Sequence, residues 1–184
     1  MKLDKLMRKT ELEAELVGKG DFIQIDTLNR FLKLMPPMEM KKFAYLKLAE
    51  IYENKEMFND AAEIYRGLAT NAMTFADKIK YHILETKSFI RGGFFDEADK
   101  SMRRAIGESN EIQQRETVKE IREFYKQMAE EMFRKMKASK AATYYEKLLR
   151  MKLSDSEKTE VKTKLKEIYL KLGKMKEIKL LEGI

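Results

Sequence analysis

The 184 residues contain no cysteine and no tryptophan, and only two prolines, eight glycines and one histidine. Without cysteine there are no disulfides and no thiolate metal sites, an absence that fits a cytosolic protein. The lone histidine, His82, has no companions at ligand spacing and is no metal set. Nor does any local signature place it beside a serine nucleophile. Gly92-Gly93 and Gly18-Lys19-Gly20 lack the spacing and the following Lys-Ser/Thr of a phosphate loop. Carboxylates are plentiful, yet no pair is marked out for acid–base work. The chain is therefore read as a non-enzyme without a cofactor. No run approaches the roughly 20 apolar residues that a membrane span needs. The start, Met1-Lys2-Leu3-Asp4-Lys5-Leu6-Met7-Arg8-Lys9, is amphipathic and lacks a signal-type apolar block. A cytoplasmic protein is the expectation.

What is present favours helix. Apolar residues make up 43% and charged residues 38%, rich in Lys, Glu, Leu, Met and Ala. A chain of this length suffices for one domain with a substantial core. Net charge is +7, unevenly spread. From Arg134 to Ile184 there are 15 Lys/Arg against 7 Asp/Glu, whereas the residues before hold 23 against 24. The excess basicity sits in the last third.

The organising stretch is Arg91-Gly92-Gly93-Phe94-Phe95-Asp96-Glu97-Ala98. Glycines close one apolar-periodic segment, and acidic residues with alanine open the next, as in a helical hairpin. The same pattern recurs at Asn59-Asp60-Ala61-Ala62, Ser139-Lys140-Ala141-Ala142 and Gly173-Lys174-Met175-Lys176. A first helix is predicted from about Asp4 to Val17 and a second from about Phe22 to Leu34, stopped by Pro36-Pro37. Then come helices from Glu39 to Glu53 and from Phe58 to Thr70. Thr74 caps a fifth, which runs to the paired glycines; a sixth carries Phe95, Ala98, Met102 and Ala105. The seventh, Asn110 to Met136, is the longest, roughly 40 Å at 1.5 Å per residue. An eighth holds Ala141 to Leu149, with Tyr144-Tyr145 read as one core and one surface ring. Ser154-Asp155-Ser156-Glu157 matches a capping box and opens the ninth; a short tenth covers Met175 to Leu181. Met128, Met132 and Met136 are read as a core stripe rather than a deformable Met-rich surface. No strand-like alternation persists.

Markers at the start of each second helix, Ile25, Ala61, Ala98, Ala141 and Ile178, lie 36, 37, 43 and 37 residues apart. Such a period belongs to a two-helix solenoid, because one hairpin cannot bury both faces and must stack on another. On Tyr45, Leu48, Ala49, Tyr52, Ala61, Tyr65 and Leu68, and again on Tyr125, Met128, Ala129, Met132, Ala141, Tyr145 and Leu148, the chain resembles the tetratricopeptide repeat (TPR) family. Phe89, Gly93, Ala98, Met102 and Ala105 match the later half of a repeat, and Leu165, Tyr169 and Gly173 match part of another. The resemblance covers residues 41–184, with a degenerate hairpin over 1–37. It implies a single all-α domain over 1–184, a right-handed solenoid of about five antiparallel hairpins. The chain departs from the family at His82, Glu85 and Thr86, which replace bulky, Leu and small residues; a rotated fifth helix is expected there. The prolines usual between repeats are missing, and the interval of 43 implies an elongated hairpin.

In that family the first helix of each hairpin lines a concave groove. The resemblance places Phe43, Leu46, Glu50 and Asn54 on it, then Ile83, Lys87, Ile90 and Arg91, then Lys126, Glu130, Phe133 and Arg134. The Lys/Asn carboxylate clamp of chaperone-binding members is not present as written, since Leu46 and Glu50 stand at its first two positions. The expected function is a protein-interaction scaffold that holds a helical or extended partner segment. The alternative is an RNA- or ribosome-associated protein that uses Lys162, Lys164, Lys166, Lys171, Lys174, Lys176 and Lys179. These lysines also read as a solvated face. A third expectation is a homodimer through terminal helices, since Leu180, Leu181 and Ile184 leave an apolar end.

Overall fold

In the computed structural model, which describes residues 3–183, the chain is all-helical. Ten helices follow one another, and no strand occurs among the described residues. They are α1 (Lys9–Leu16), α2 (Asp21–Lys33), α3 (Met38–Asn54), α4 (Phe58–Thr70), α5 (Phe75–Gly92), α6 (Phe95–Gly107), α7 (Glu111–Arg134), α8 (Ala138–Leu149), α9 (Asp155–Lys171) and α10 (Met175–Glu182). None of them is long and apolar enough to cross a membrane. Ile184, part of the expected apolar end, lies outside the described residues.

The boundaries follow local chemistry. Thr74 caps α5 by accepting the amide of Asp77, and Ser154 with Glu157 forms the reciprocal capping box of α9. Gly93 takes a left-handed φ of 76° just after α5, with its amide bonded to Ile90 O. A β-carbon on Gly92 would lie 2.6 Å from the Phe94 ring, so both glycines are needed for this turn, for different reasons. Helix α1 starts five residues later than expected. The Asp4 carboxylate accepts the amide of Leu6 and its carbonyl accepts that of Met7, making a turn where a helix was predicted. Arg8 then opens the helix, with its amide on Glu11 Oε2 at 2.8 Å.

The chain divides into two compact units, 1–114 and 115–184. In the first, α2 packs on α3, α3 on α4, α4 on α5 and α5 on α6. Leu12, Leu28, Phe31, Ala44 and Leu48 form one buried cluster; Ala49, Ala61, Tyr65, Leu68 and Tyr81 form a second. In the second unit α8 packs on α9 and α9 on α10. Val161, Leu165 and Ile168 of α9 are buried, as are Ala141, Tyr145 and Leu148 of α8. Both tyrosines of Tyr144-Tyr145 are buried, which corrects the expectation of one surface ring; the Tyr144 ring lies 6.5 Å from that of Tyr125. The methionine stripe is split as well. Met128 is buried, but Met136 is 90% exposed in the turn after α7, at a φ of 58°.

The two units repeat one layout 80 residues apart. Thr74 and Ser154 cap at the same point, Gly93 and Gly173 are both left-handed, and Glu56 and Met136 both take positive φ. The alanines opening α4 and α8, Ala61 and Ala141, are both fully buried.

The polar residues of α5 are not rotated outward. His82, Glu85 and Thr86 are all buried. Glu85 Oε1 accepts Arg66 Nε of α4 and Arg104 Nη2 of α6, each at 2.7 Å, while Oε2 meets His82 Nδ1 at 2.9 Å. Thr86 bonds Ser101 of α6 at 2.8 Å. Burial pushes the Glu85 carboxyl up, but the hydrogen bonds from His82 and Arg66 and the charges of both arginines outweigh it. The group ends below its ordinary value of 4.5.

Glu85→Gln, which keeps the shape and removes the charge, is expected to cost about 2–3 kcal/mol at neutral pH, less than a fully enclosed pair because both arginines reach solvent. The depressed native pKa means this stability is complete above about pH 4.5 and is lost as pH falls through the lower native value. The gap between wild type and variant, measured by urea denaturation, should therefore narrow in acid. Gly93→Ala is expected to cost about 1–2 kcal/mol, and Gly93→Asn less, because asparagine tolerates the left-handed region. Urea midpoints of the two variants check the order.

Candidate functional site

Within the first unit, the odd-numbered helices lie side by side. Lys9 of α1 pairs with Glu39 of α3 at 2.6 Å. Glu53 of α3 accepts Ser88 Oγ at 2.6 Å and Arg91 Nη1 at 2.8 Å from α5, and Lys42 of α3 pairs with Asp77 of α5 at 3.3 Å. This brings the predicted residues of α3 and α5 next to one another. Phe43 and Leu46 are half-buried, each packed at its base against one of the two apolar clusters. Lys9 Nζ lies 6.0 Å from the centre of the Phe43 ring. Glu50 and Asn54 are exposed, with Glu50 accepting Lys47 Nζ at 3.2 Å.

On α5, Ile83 and Lys87 are half-buried and Arg91 is exposed. Ile90 is the exception: it is fully enclosed and belongs to the interior, not to an open face. It follows Ile83 by seven residues and shares that residue's direction, so the face closes over in the last turn before the glycines. Periodicity gives a direction and cannot tell where along a helix the cover begins.

In the second unit, three of the four predicted α7 residues meet in one concavity of about 340 Å³. Glu130, Phe133 and Arg134 line it with Tyr145 of α8 and Lys164, Glu167 and Ile168 of α9. Lys126 stands beside them, tied to Glu160 of α9 at 2.7 Å. Lys171 Nζ sits 4.2 Å from the centre of the Phe133 ring and also pairs with Glu167 at 3.1 Å. Arg134 and Lys164 have no anionic partner among the described residues. Burial, then the charges of Glu130, Glu160 and Glu167, push the Tyr145 phenol up to about 12, so it stays neutral and protonated at physiological pH. Tyr145 and Ile168 were legible only as core; that they also floor this concavity depends on how α8 and α9 cross.

The basic set of the last third is dispersed. Lys164 joins the concavity just described and Lys162 lines a different groove. Lys166 pairs with Glu182 at 2.5 Å, Lys171 with Glu167, and Lys174 lies 5.7 Å from the centre of the Tyr169 ring. Lys176 and Lys179 are exposed. Alternate residues of a helix point about 200° apart, which spreads Lys162, Lys164 and Lys166 around α9.

The arrangement offers half-exposed aromatic and aliphatic side chains set among charges, a surface suited to noncovalent capture. Compared with models of known protein families and with curated proteins, the chain matches none.

Proposed function

We propose that the chain is a TPR-like right-handed solenoid and a non-catalytic scaffold, holding a helical or extended partner segment along the faces of its odd-numbered helices. The observation that carries this reading is the concavity around Phe133, Tyr145 and Ile168. It joins an apolar floor to Arg134 and Lys164 at its rim, both without an anionic partner among the described residues. The lateral ion pairs between α1 and α3, α3 and α5, and α7 and α9 support it, because they set first helices side by side within each unit. The spacing of about 37 residues and the shared caps and turns fit stacked hairpins.

A guest amphipathic helix or extended segment would place apolar anchors on Phe133 in the second unit, and on Phe43, Leu46 and Ile83 in the first. Central apolar anchors usually carry most of such binding, with charges at the edge setting orientation and rate. The RNA reading gains no comparable observation, since Lys166 and Lys171 are held by carboxylates of the same unit.

The test is a triple variant, Leu46→Asp, Ile83→Asp and Phe133→Asp, at half-buried rather than enclosed positions. Partners captured by wild type from native cells should be lost by at least about 30-fold, with the helical circular-dichroism signal and thermal midpoint retained. Undiminished capture by the folded variant overturns the reading.

A further inference from the structure

The register of 80 residues allows one slot to be compared in both units. In the first unit it lies over α5, between α4 and α6, as a concavity of about 460 Å³ lined mostly with polar and charged groups. Arg66 and Arg104 reach in from either side to Glu85, and Lys78 at its end approaches Glu108 to 3.8 Å. In the second unit the slot lies over α9, between α8 and α10. There Leu165 stands at the place of Glu85, Leu181 at that of Ser101 and Leu149 at that of Ala69. Glu146 replaces Arg66, and its carboxylate is taken by the Tyr169 hydroxyl at 2.9 Å.

In the second unit the slot is an open groove of about 390 Å³, and the substitutions change its lining from ions to leucine. Leu165 and Leu181 form its base, while Leu180 is 69% exposed at its edge. Arg150, Lys158 and Lys162 line the rim, none with an anionic partner among the described residues. Glu177 is the rim carboxylate without a hydrogen bond or ion pair among the described residues. Where the first unit supplies a carboxylate from its own floor to two arginines, the second presents three rim cations, Arg150, Lys158 and Lys162, against the single unengaged carboxylate among the described residues, that of Glu177.

We propose that this groove docks an acidic amphipathic helix of a partner protein. Apolar side chains of the guest would cover Leu149 and Leu180 above the buried Leu165 and Leu181, and its carboxylates would meet Arg150, Lys158 and Lys162. Lys158 and Lys162 are four apart on one face of α9, a separation of about 6 Å that carboxylates four apart on a guest helix reproduce. Nucleic acid would engage the cations but leave the leucine floor in water and bring phosphate against Glu177. The groove uses different residues from the Phe133 concavity, so the proposal stands apart from the function proposed above.

The test uses the full chain and a fluorescein-labelled synthetic helix of about 16 residues, with leucines on one face and glutamates on the other. A scrambled peptide of the same composition serves as control. The patterned peptide should bind and the scrambled one should not. Leu180→Glu should abolish binding, and Lys158→Glu with Lys162→Glu should weaken it by at least about tenfold, with the difference shrinking in high salt. Leu180 and the lysines are not core positions, and each variant is checked for unchanged helicity. Lys140→Glu, a charge reversal at an exposed position outside both sites, should bind as wild type does. The proposal is overturned if the patterned peptide fails to bind, or if both peptides bind equally. Displacement by a single-stranded RNA of about 12 nucleotides would instead assign the rim to nucleic acid. Sedimentation showing dimers that Leu180→Glu dissolves would assign the groove to a second copy.

Discussion

Glu85 occupies the middle of α5 with no exposed surface, and both of its oxygens are committed to neighbouring helices or to its own. A carboxylate in that position is tolerated only where cations reach it, so α4 and α6 must present Arg66 and Arg104 at fixed heights along α5. Each arginine lies 19 residues from Glu85, one before and one after. A slip of α4 or α6 by one residue would turn an arginine away and strand the charge. The unit 80 residues on places Leu165 at the equivalent point and still packs. The carboxylate therefore adds position more than burial: a leucine accepts several alignments, whereas a bridged carboxylate accepts one.

Helix class and most boundaries were legible because their determinants are local. Phe58–Thr70 is found where the apolar spacing put it, Thr74 and Ser154 cap where their side chains permit, and the glycine turn stands at Gly93. The misreadings have longer-range causes. Asp4 begins a turn, not a helix, since its carboxylate competes for the amides a helix start would leave free. His82, Glu85 and Thr86 suggest a rotated fifth helix because their partners lie on other helices, and no periodicity within α5 contains Arg66 or Arg104. Tyr144 reads as a surface ring only while the partner ring of Tyr125 is out of view.

The candidate face was legible in direction but not in extent. Phe43, Leu46 and Ile83 keep part of their surface, as their places on the first helices of the hairpins imply, while Ile90, on the same stripe, is sealed. The lysines of α9 show the converse limit. Counting them gives a net charge, but the helix turns each to a different neighbour, so Lys166 meets Glu182 and Lys171 covers Phe133. A cation already matched to a carboxylate gains little by meeting a phosphate, because it must first give up its partner. Charge density along a sequence overstates the charge available on any one face.

The matching backbones of the two units show which features tolerate change. Caps, left-handed turn residues and the alanines at helix starts recur at the same spacing, since each answers a backbone requirement that side chains elsewhere cannot meet. The slot between the even-numbered helices answers no such requirement. It can be bridged by ions, as around Glu85, or lined with leucine, as around Leu165, without moving a helix end. Surface chemistry in a repeated fold can thus diverge from one copy to the next while the scaffold stays fixed. Around Glu85 ions tie α4 and α6 to α5, whereas α8 and α10 are held on α9 chiefly by apolar packing around Leu165 and Leu181.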